Sequence, residues 1–174
     1  MSYLWNTSPQ KFLYIYTMLK LQPLISRLQS LSLSLPEVSK PLAAYIPAKR
    51  SGDLIFVSGQ LPVANGNLLA EGTVPDIVSV EKAKECAKQC LLNGIAAAFS
   101  LLQENEGLEP LQIQGFVQSK PDFYSQPAVI DGASELALEI FGESGKHSRA
   151  AVGVAALPKN APVEVAFVFG VGLP

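Results

Sequence analysis

The chain has 174 residues, 48% of them hydrophobic and 16% charged, which is typical of one folded domain or a domain with a tail. Thirteen basic and fifteen acidic residues give a formal net charge of −2, which argues against the basic surface that nucleic acids require, so we expect no nucleic-acid partner. Two cysteines and one histidine are too few for a disulfide framework or a cysteine–histidine zinc site, and the sequence indicates no metal and no organic cofactor.

The first 36 residues differ in charge from the rest of the chain. They contain Lys11, Lys20 and Arg27 and no acidic residue. The apolar run at residues 12–21 is too short to span a bilayer, so we expect no membrane partner. The acid-free start is compatible with an organellar targeting segment, and the alternative is an extension carrying a short helix at residues 21–31. We therefore predict an N-terminal extension, residues 1–35, and a folded domain, residues 36–174, in the cytoplasm or, with a targeting segment, in an organelle such as the mitochondrion.

The first half of the domain is predicted to contain two strands and a long helix. The strands lie at residues 44–46 and 54–60, and an Asn65–Gly66 turn follows, which favours antiparallel pairing. A helix is predicted over residues 79–104 with Ser79 as its N-cap. Its inner face is built mostly from small residues, which allows close approach to a sheet: Ala83, Cys86, Ala87, Cys90, Gly94, Ala97 and Leu101.

The second half is predicted to contain a strand, a helix and two final strands. The strand covers residues 112–119, and the helix covers residues 127–141 and ends at Gly142. Asp131–Gly132 inside that helix indicates either a close backbone contact or a kink. Residues 148–157 and 163–171 are predicted to form an antiparallel pair. This order predicts an α+β domain with both helices on one face of a single mixed sheet.

The uncovered face of that sheet is predicted to be unusually apolar. Alternation puts Glu164, Ala166, Val168 and Gly170 on one side of the last strand, and we place them on the open face together with Arg149 and the small residues that alternate after it. An open face normally carries polar side chains, so we expect copies of the chain to pack through this surface.

Arg149 is the strongest candidate for ligand binding. It begins a strand of small apolar residues, where a charge is costly unless it is paired. Its guanidinium offers a planar fork that binds a carboxylate with two hydrogen bonds. The alternative is an internal ion pair, for which Glu164 is the predicted partner. His147, the one histidine of the chain, is predicted to lie in a surface loop because no acidic residue or nucleophile motif accompanies it.

Five segments together resemble the Rid family, also called YjgF-type reactive-intermediate deaminases. They are residues 41–45 (PLAAY), 52–62 (GDLIFVSGQLP), 115–123 (GFVQSKPDF), 148–158 (SRAAVGVAALP) and 162–165 (PVEV). Their order and spacing carry the resemblance over about residues 40–170, and residues 122–134 resemble a branch with an extended loop before Arg149. The resemblance implies a chorismate-mutase-like fold and a homotrimer with ligand clefts between subunits.

The resemblance also implies a chemistry and a set of site residues. Family members hydrolyse enamine or imine acids, such as 2-aminoacrylate, to a 2-keto acid and ammonia, so the implied ligand is a small 2-imino or 2-keto acid. Carried over, Arg149 would hold the carboxylate, and the backbone of Ala151 would contact the imine nitrogen or the water. The cleft would be lined by Tyr45, Ser58, Gly59, Phe116 and Asp131, the last at a position where many relatives have Asn.

One departure from the family pattern bears on activity. The family's last strand commonly has a second Glu, linked to activation of the attacking water, and this chain has Ala166 there. Glu164 lies two residues earlier and is the remaining candidate for acid–base catalysis. The chain is therefore predicted to be a weak deaminase with Arg149 and Glu164 as catalytic residues, or a non-catalytic trimer that senses a small carboxylic acid. Nuclease activity, attached to some relatives, is disfavoured by the acidic composition.

Overall fold

The computed structural model describes residues 19–38 and 44–173. Its helices are α1 (Leu21–Ser30), α2 (Val80–Phe99) and α3 (Gln126–Phe141). Its strands are β1 (Ala48–Ser51), β2 (Leu54–Gln60), β3 (Val63–Ala64), β4 (Asn67–Leu68), β5 (Gly107–Gln118), β6 (Ser148–Val154) and β7 (Val163–Gly172). Short 3-10 turns follow α3 (Gly142–Gly145) and β6 (Pro158–Asn160).

Five strands form one mixed sheet in the order β1-β2-β7-β5-β6. Pairing is antiparallel between β1 and β2, between β2 and β7, and between β7 and β5. At the edge, β6 pairs with β5 in parallel. The predicted Asn65–Gly66 turn joins β3 to β4 in a separate hairpin, with φ values of 52° and 83° that suit Asn and Gly. The architecture is α+β, with α2 and α3 on one face of the sheet, as predicted.

The predicted pairing of the last two strands is wrong. β6 and β7 are not neighbours, because β5 lies between them. Gln118 at the end of β5 secures the connection that steps over this strand: its Oε1 accepts a hydrogen bond from the Leu157 amide (2.7 Å), and its Nε2 donates to Asn160 Oδ1 (2.6 Å). A tight hairpin and a connection that crosses one strand need similar turn residues, so the sequence pattern does not separate them.

Element boundaries also differ from the predicted ones at several places. Residues 44–45 form a bend, so the strand predicted at residues 44–46 is wrong and β1 begins at Ala48. β5 begins at Gly107, five residues earlier than predicted, because a bulge after Pro110 accommodates the missing N–H. α2 begins after the predicted Ser79 cap, whose hydroxyl accepts a hydrogen bond from the Lys82 amide, and it ends at Phe99, before residue 104.

The core lies between the sheet and the helices. Val163, Val165, Phe167, Phe169 and Val171 of β7 face it and are all at most 3% exposed. Small residues let the helices approach: a Cβ on Gly94 would meet the Phe167 ring at 2.6 Å. A Cβ on Gly132 would overlap the Lys84 carbonyl, which identifies the Asp131–Gly132 pair as a close backbone contact between α2 and α3.

α1 packs against the same core although it lies in the segment assigned to the extension. Its Leu24 and Leu28 are buried, and Arg27 Nε donates a hydrogen bond to the Glu139 carbonyl of α3 at 2.7 Å. Leu19 forms a β-bridge with Leu108 of β5. Among the described residues, none of the helices has the length and apolar character needed to cross a bilayer.

Candidate functional site

The candidate site residues lie on two opposite faces of the sheet. Arg149 pairs with Ile113 of β5, which in turn pairs with the buried Phe167, so Arg149 lies on the face covered by the helices. Glu164 pairs with Phe116 on the open face. The prediction that Arg149 and Glu164 share the open face is therefore wrong. Alternation fixes which residues of one strand share a face, but only the register between strands relates one strand to another.

Arg149 is paired with Asp131 rather than with the predicted Glu164. Its Nη1 donates to Asp131 Oδ1 at 2.7 Å and to Ser134 Oγ at 3.2 Å. The side chains of Arg149 and Asp131 are 28% and 40% exposed. Among residues 19–38 and 44–173, neither Nε nor Nη2 of Arg149 has a further hydrogen-bond partner. One edge of the guanidinium is thus held in place, and the other nitrogens remain available at the edge of the sheet.

His147 lies in the predicted loop, before β6, but it also contacts this group. The residue is half-buried, with its Nδ1 2.6 Å from the Gly145 carbonyl oxygen and its Nε2 3.0 Å from Ser134 Oγ. Asp131, Ser134, His147 and Arg149 therefore form one connected set, which we call the arginine cluster.

Two local features assemble the arginine cluster. Asp131 and Ser134 are three residues apart on α3 and so lie on the same side of the helix. Gly142, at a φ of 60°, ends α3 and turns the chain back towards it. Gly145 packs so closely on α3 that a Cβ there would overlap the Ala137 carbonyl, which brings His147 beside Ser134.

On the open face, Glu164 lies over the end of β2. A Cβ on Gly59 would overlap the Glu164 carboxylate as it lies here, so the carboxylate packs directly on the backbone of Gly59. Burial raises the pKa of Glu164 above its ordinary value. Phe116 is its half-buried cross-strand neighbour on β5, and Ala166 lies opposite Gln114.

The remaining predicted site residues are near this open-face group or on β6. Ser58 Oγ donates to the Ile46 carbonyl at 2.8 Å, which ties the segment after Tyr45 to the end of β2. Tyr45 itself is 47% exposed. Ala151 pairs with Gly115 on the helix-covered face and packs against the core. The chain therefore brings Asp131 to Arg149, and Gly59 and Phe116 to Glu164, but does not join the two groups.

The open face also exposes apolar side chains. Leu54 and Phe56 of β2 and Val152 of β6 are 37%, 47% and 46% exposed, respectively. Their register partners in the neighbouring strands include Gly170, Val168 and Phe116, so the apolar surface extends across the sheet. The predicted apolar character of this face is confirmed for β7, whereas β6 contributes Val152 rather than Ala151.

Sequence and structure comparisons identify the relatives of this chain. Residues 25–170 match the family model described as "YjgF/chorismate_mutase-like, putative endoribonuclease". Protein TCP17 of Trypanosoma cruzi is 35% identical over 142 residues, which cover 80% of this chain and 89% of that protein. The Agrobacterium tumefaciens protein Atu1372, of unknown function, is 37% identical with a TM-score of 0.77, covering 87% of this chain and 95% of Atu1372.

A second crystal structure gives the same result. A Shewanella oneidensis protein described as a "putative endoribonuclease" is 31% identical with a TM-score of 0.78, covering 83% of this chain and 97% of that one. The matched region contains β1 to β6, both helices that cover the sheet, and β7 up to residue 170. The chain therefore belongs to the YjgF/Rid family and has its chorismate-mutase-like fold.

Proposed function

We propose that this protein binds a small 2-imino or 2-keto acid through Arg149 and hydrolyses the imine, or its enamine tautomer, to the 2-keto acid and ammonia. The observation that carries the proposal is the geometry of Arg149. Its Nη1 is fixed by Asp131 and Ser134, while Nε and Nη2 have no partner among the described residues. A guanidinium held on one side and open on the other is suited to bind a carboxylate with two parallel hydrogen bonds.

The proposed site is completed by a neighbouring copy in a homotrimer. β6 is an edge strand, so its outer backbone groups have no strand partner in the described residues, and Val152 is exposed beside them. An apolar edge of this kind is suited to packing against another subunit. In the proposed trimer, Arg149 at the edge of one subunit faces the open-face group of the next, where Tyr45, Ser58, Gly59, Phe116 and Glu164 line the other wall.

The proposed hydrolysis needs little catalytic assistance from the protein because the substrate is already reactive. Holding the carboxylate on Arg149 fixes the adjacent imine carbon, and orientation of a water molecule then accelerates its attack. The Ala151 amide or carbonyl is proposed to contact the imine nitrogen or this water. Glu164, whose pKa is raised by burial, is the carboxyl group proposed to exchange protons on the open-face wall.

A coupled assay tests the proposal. A lyase or oxidase generates 2-aminoacrylate or 2-iminopropionate, and release of the keto acid is followed with and without this protein. We expect acceleration by the wild type and loss of it in Arg149→Ala, together with loss of 2-ketobutyrate binding in a titration. The matched control is Arg27→Ala, which removes an arginine on α1 outside the site. Equal keto-acid release with wild type and with buffer would contradict the deaminase.

Ala166 supports one alternative, a non-catalytic trimer that senses a small carboxylic acid. The position where the family has its second Glu carries a methyl group beside Gln114. Loss of acid–base help costs about 10²–10⁴-fold in rate, whereas the carboxylate contact needs only Arg149. Binding without acceleration would favour the sensor, and activity gained in Ala166→Glu would identify the missing carboxyl group as the cause.

A further inference from the structure

The hydrogen bonds of the arginine cluster determine where its protons lie. Nη1 of Arg149 can only donate, so Ser134 Oγ accepts at 3.2 Å. The Gly145 carbonyl can only accept, so Nδ1 of His147 carries a hydrogen and, in the neutral ring, Nε2 is an acceptor. The Ser134 hydroxyl therefore donates to His147 Nε2 across 3.0 Å.

This arrangement is that of a hydroxyl polarised by a base whose ring is oriented by a third group. A hydroxyl-to-imidazole distance of 3.0 Å is within the range of an activated Ser–His pair. Arg149 occupies one lone pair of Ser134 Oγ, and the second lone pair is left for a water molecule. A proton can then pass from that water to Ser134 while the Ser134 proton passes to His147.

We propose that Ser134 and His147 form the proton relay of the deamination, an inference that rests on the proposed function. The imine carbon of a 2-imino acid is bonded directly to the carboxyl carbon that Arg149 holds. Ser134 lies one hydrogen bond from Nη1 of the same guanidinium, so the relay requires an acid held on Nε and Nη2 to bring its imine carbon within reach of a water bound to Ser134. The relay places acid–base groups on the Arg149 side of the cleft. It needs neither Glu164 nor the second Glu of the family, whose position is occupied by Ala166 in this chain.

The balanced reaction uses the protonated imine and one water. The water oxygen bonds to the imine carbon, the C=N π pair moves to nitrogen, and the water proton passes to Ser134 as the Ser134 proton passes to His147 Nε2. His147 then returns its proton through Ser134 to the amine nitrogen. An oxygen lone pair forms the C=O bond, and the C–N bond breaks with its electron pair remaining on nitrogen. The hydroxyl proton leaves through the relay, and ammonia and this proton depart as ammonium.

The test compares Ser134→Ala and His147→Gln with the wild type in the coupled assay. We expect kcat to fall about 10²-fold in both variants, while KM and the dissociation constant for 2-ketobutyrate change less than about threefold. Ser148→Ala is the matched control, because Ser148 donates to the Leu111 carbonyl outside the cluster, and it should keep wild-type kcat. Thermal unfolding of each variant verifies that the fold is retained.

A pH profile separates a relay from a structural role. A relay needs a ring nitrogen that is free to accept a proton, so wild-type kcat should fall on the acid side and His147→Gln should lose that limb. The charged groups near the His147 ring are Arg149 of β6 and Asp131 of α3, which form an ion pair with each other. On the turn before the ring, Lys146 pairs with Glu143 at 2.6 Å.

The outcomes distinguish this inference from the proposed function. An inactive wild type overturns both the deaminase and its relay. An active wild type with Ser134→Ala and His147→Gln within twofold of its kcat overturns the relay alone. A rise in KM at unchanged kcat, or an acid limb that persists in His147→Gln, also overturns the relay.

Discussion

Asp131 both positions Arg149 and competes with its ligand. Its carboxylate fixes the guanidinium through Nη1 at 2.7 Å, but it also neutralises part of the positive charge that would attract a second carboxylate. An Asn at this position can accept the same hydrogen bond through its Oδ1 without carrying a charge. The charge of Asp131 is therefore expected to lower the affinity of the site for acids.

We expect Asp131→Asn to bind 2-ketobutyrate about 3–10-fold more tightly than the wild type. The estimate corresponds to removing one carboxylate repulsion of about 1 kcal/mol at a partly solvated distance. Isothermal titration at two salt concentrations measures it, and the gain should shrink at high salt. Asp122→Asn, an exposed acid before α3, is the control. Weaker binding in Asp131→Asn would mean that positioning of Arg149 outweighs repulsion.

At the level of single residues, the sequence predicts Arg149 as a ligand-binding candidate but not the contacts that surround it. The resemblance points to Asp131 but not to Ser134, although Ser134 lies three residues later on the same side of α3. For His147 the sequence predicts only a surface loop, because it shows no acidic partner for the ring. Its partners are a backbone carbonyl and a serine, and both depend on the turn at Gly142–Gly145, which composition does not reveal.

At the level of elements, helices and central strands were predictable from periodicity, and strand pairing was not. α3 differs from its predicted range by one residue, because Pro127 near its start and Gly142 at its end mark its limits. The position of β7 between β2 and β5 depends on long-range pairing, which a local pattern does not encode. The wrong face predicted for Arg149 has a related cause, because alternation within β6 does not give the register of β6 against its neighbours.

The edge strand β1 is joined to the segment before β5 by a bidentate ion pair. Arg50 donates to both carboxylate oxygens of Glu106, at 2.5 and 2.7 Å, and the Gln103 amide donates to the same carboxylate. The Arg50 hydrogen bond, together with that amide, lowers the pKa of Glu106 from 4.5 to about 2. The contact therefore secures the end of the sheet opposite to β6.

This pKa shift predicts part of the acid sensitivity of the fold. Because the folded-state pKa of Glu106 is lowered, its stabilisation is fully present above pH 4.5 and is lost as the pH falls towards 2. In urea unfolding at pH 6 and pH 3, Glu106→Gln should lose less stability between the two pH values than the wild type. Glu104→Gln, a neighbouring exposed acid, should behave like the wild type. Equal losses in Glu106→Gln and wild type would contradict the assignment.

At the level of the whole molecule, the open face and the β6 edge determine the proposed assembly. Val152→Lys places a charge in the proposed subunit contact, so we expect the species of three 18.6 kDa chains to dissociate into monomers. Light scattering coupled to gel filtration measures the mass. Leu138→Lys on α3 is the matched control, because Leu138 is 44% exposed against 46% for Val152. A wild-type monomer, or a trimer retained in Val152→Lys, would contradict the proposed contact.

The two cysteines of the chain, Cys86 and Cys90, lie on the inner face of α2, and both are fully buried. Burial raises the pKa of Cys86 to about 11 and that of Cys90 well above its ordinary value, so neither thiol is ionised at neutral pH. Alkylating reagents are then expected to modify the native protein only when α2 moves away from the sheet. A cysteine introduced at an exposed position can therefore carry a fluorophore for distance measurements without prior removal of the natural thiols, and slow modification of Cys90 reports how often the domain opens.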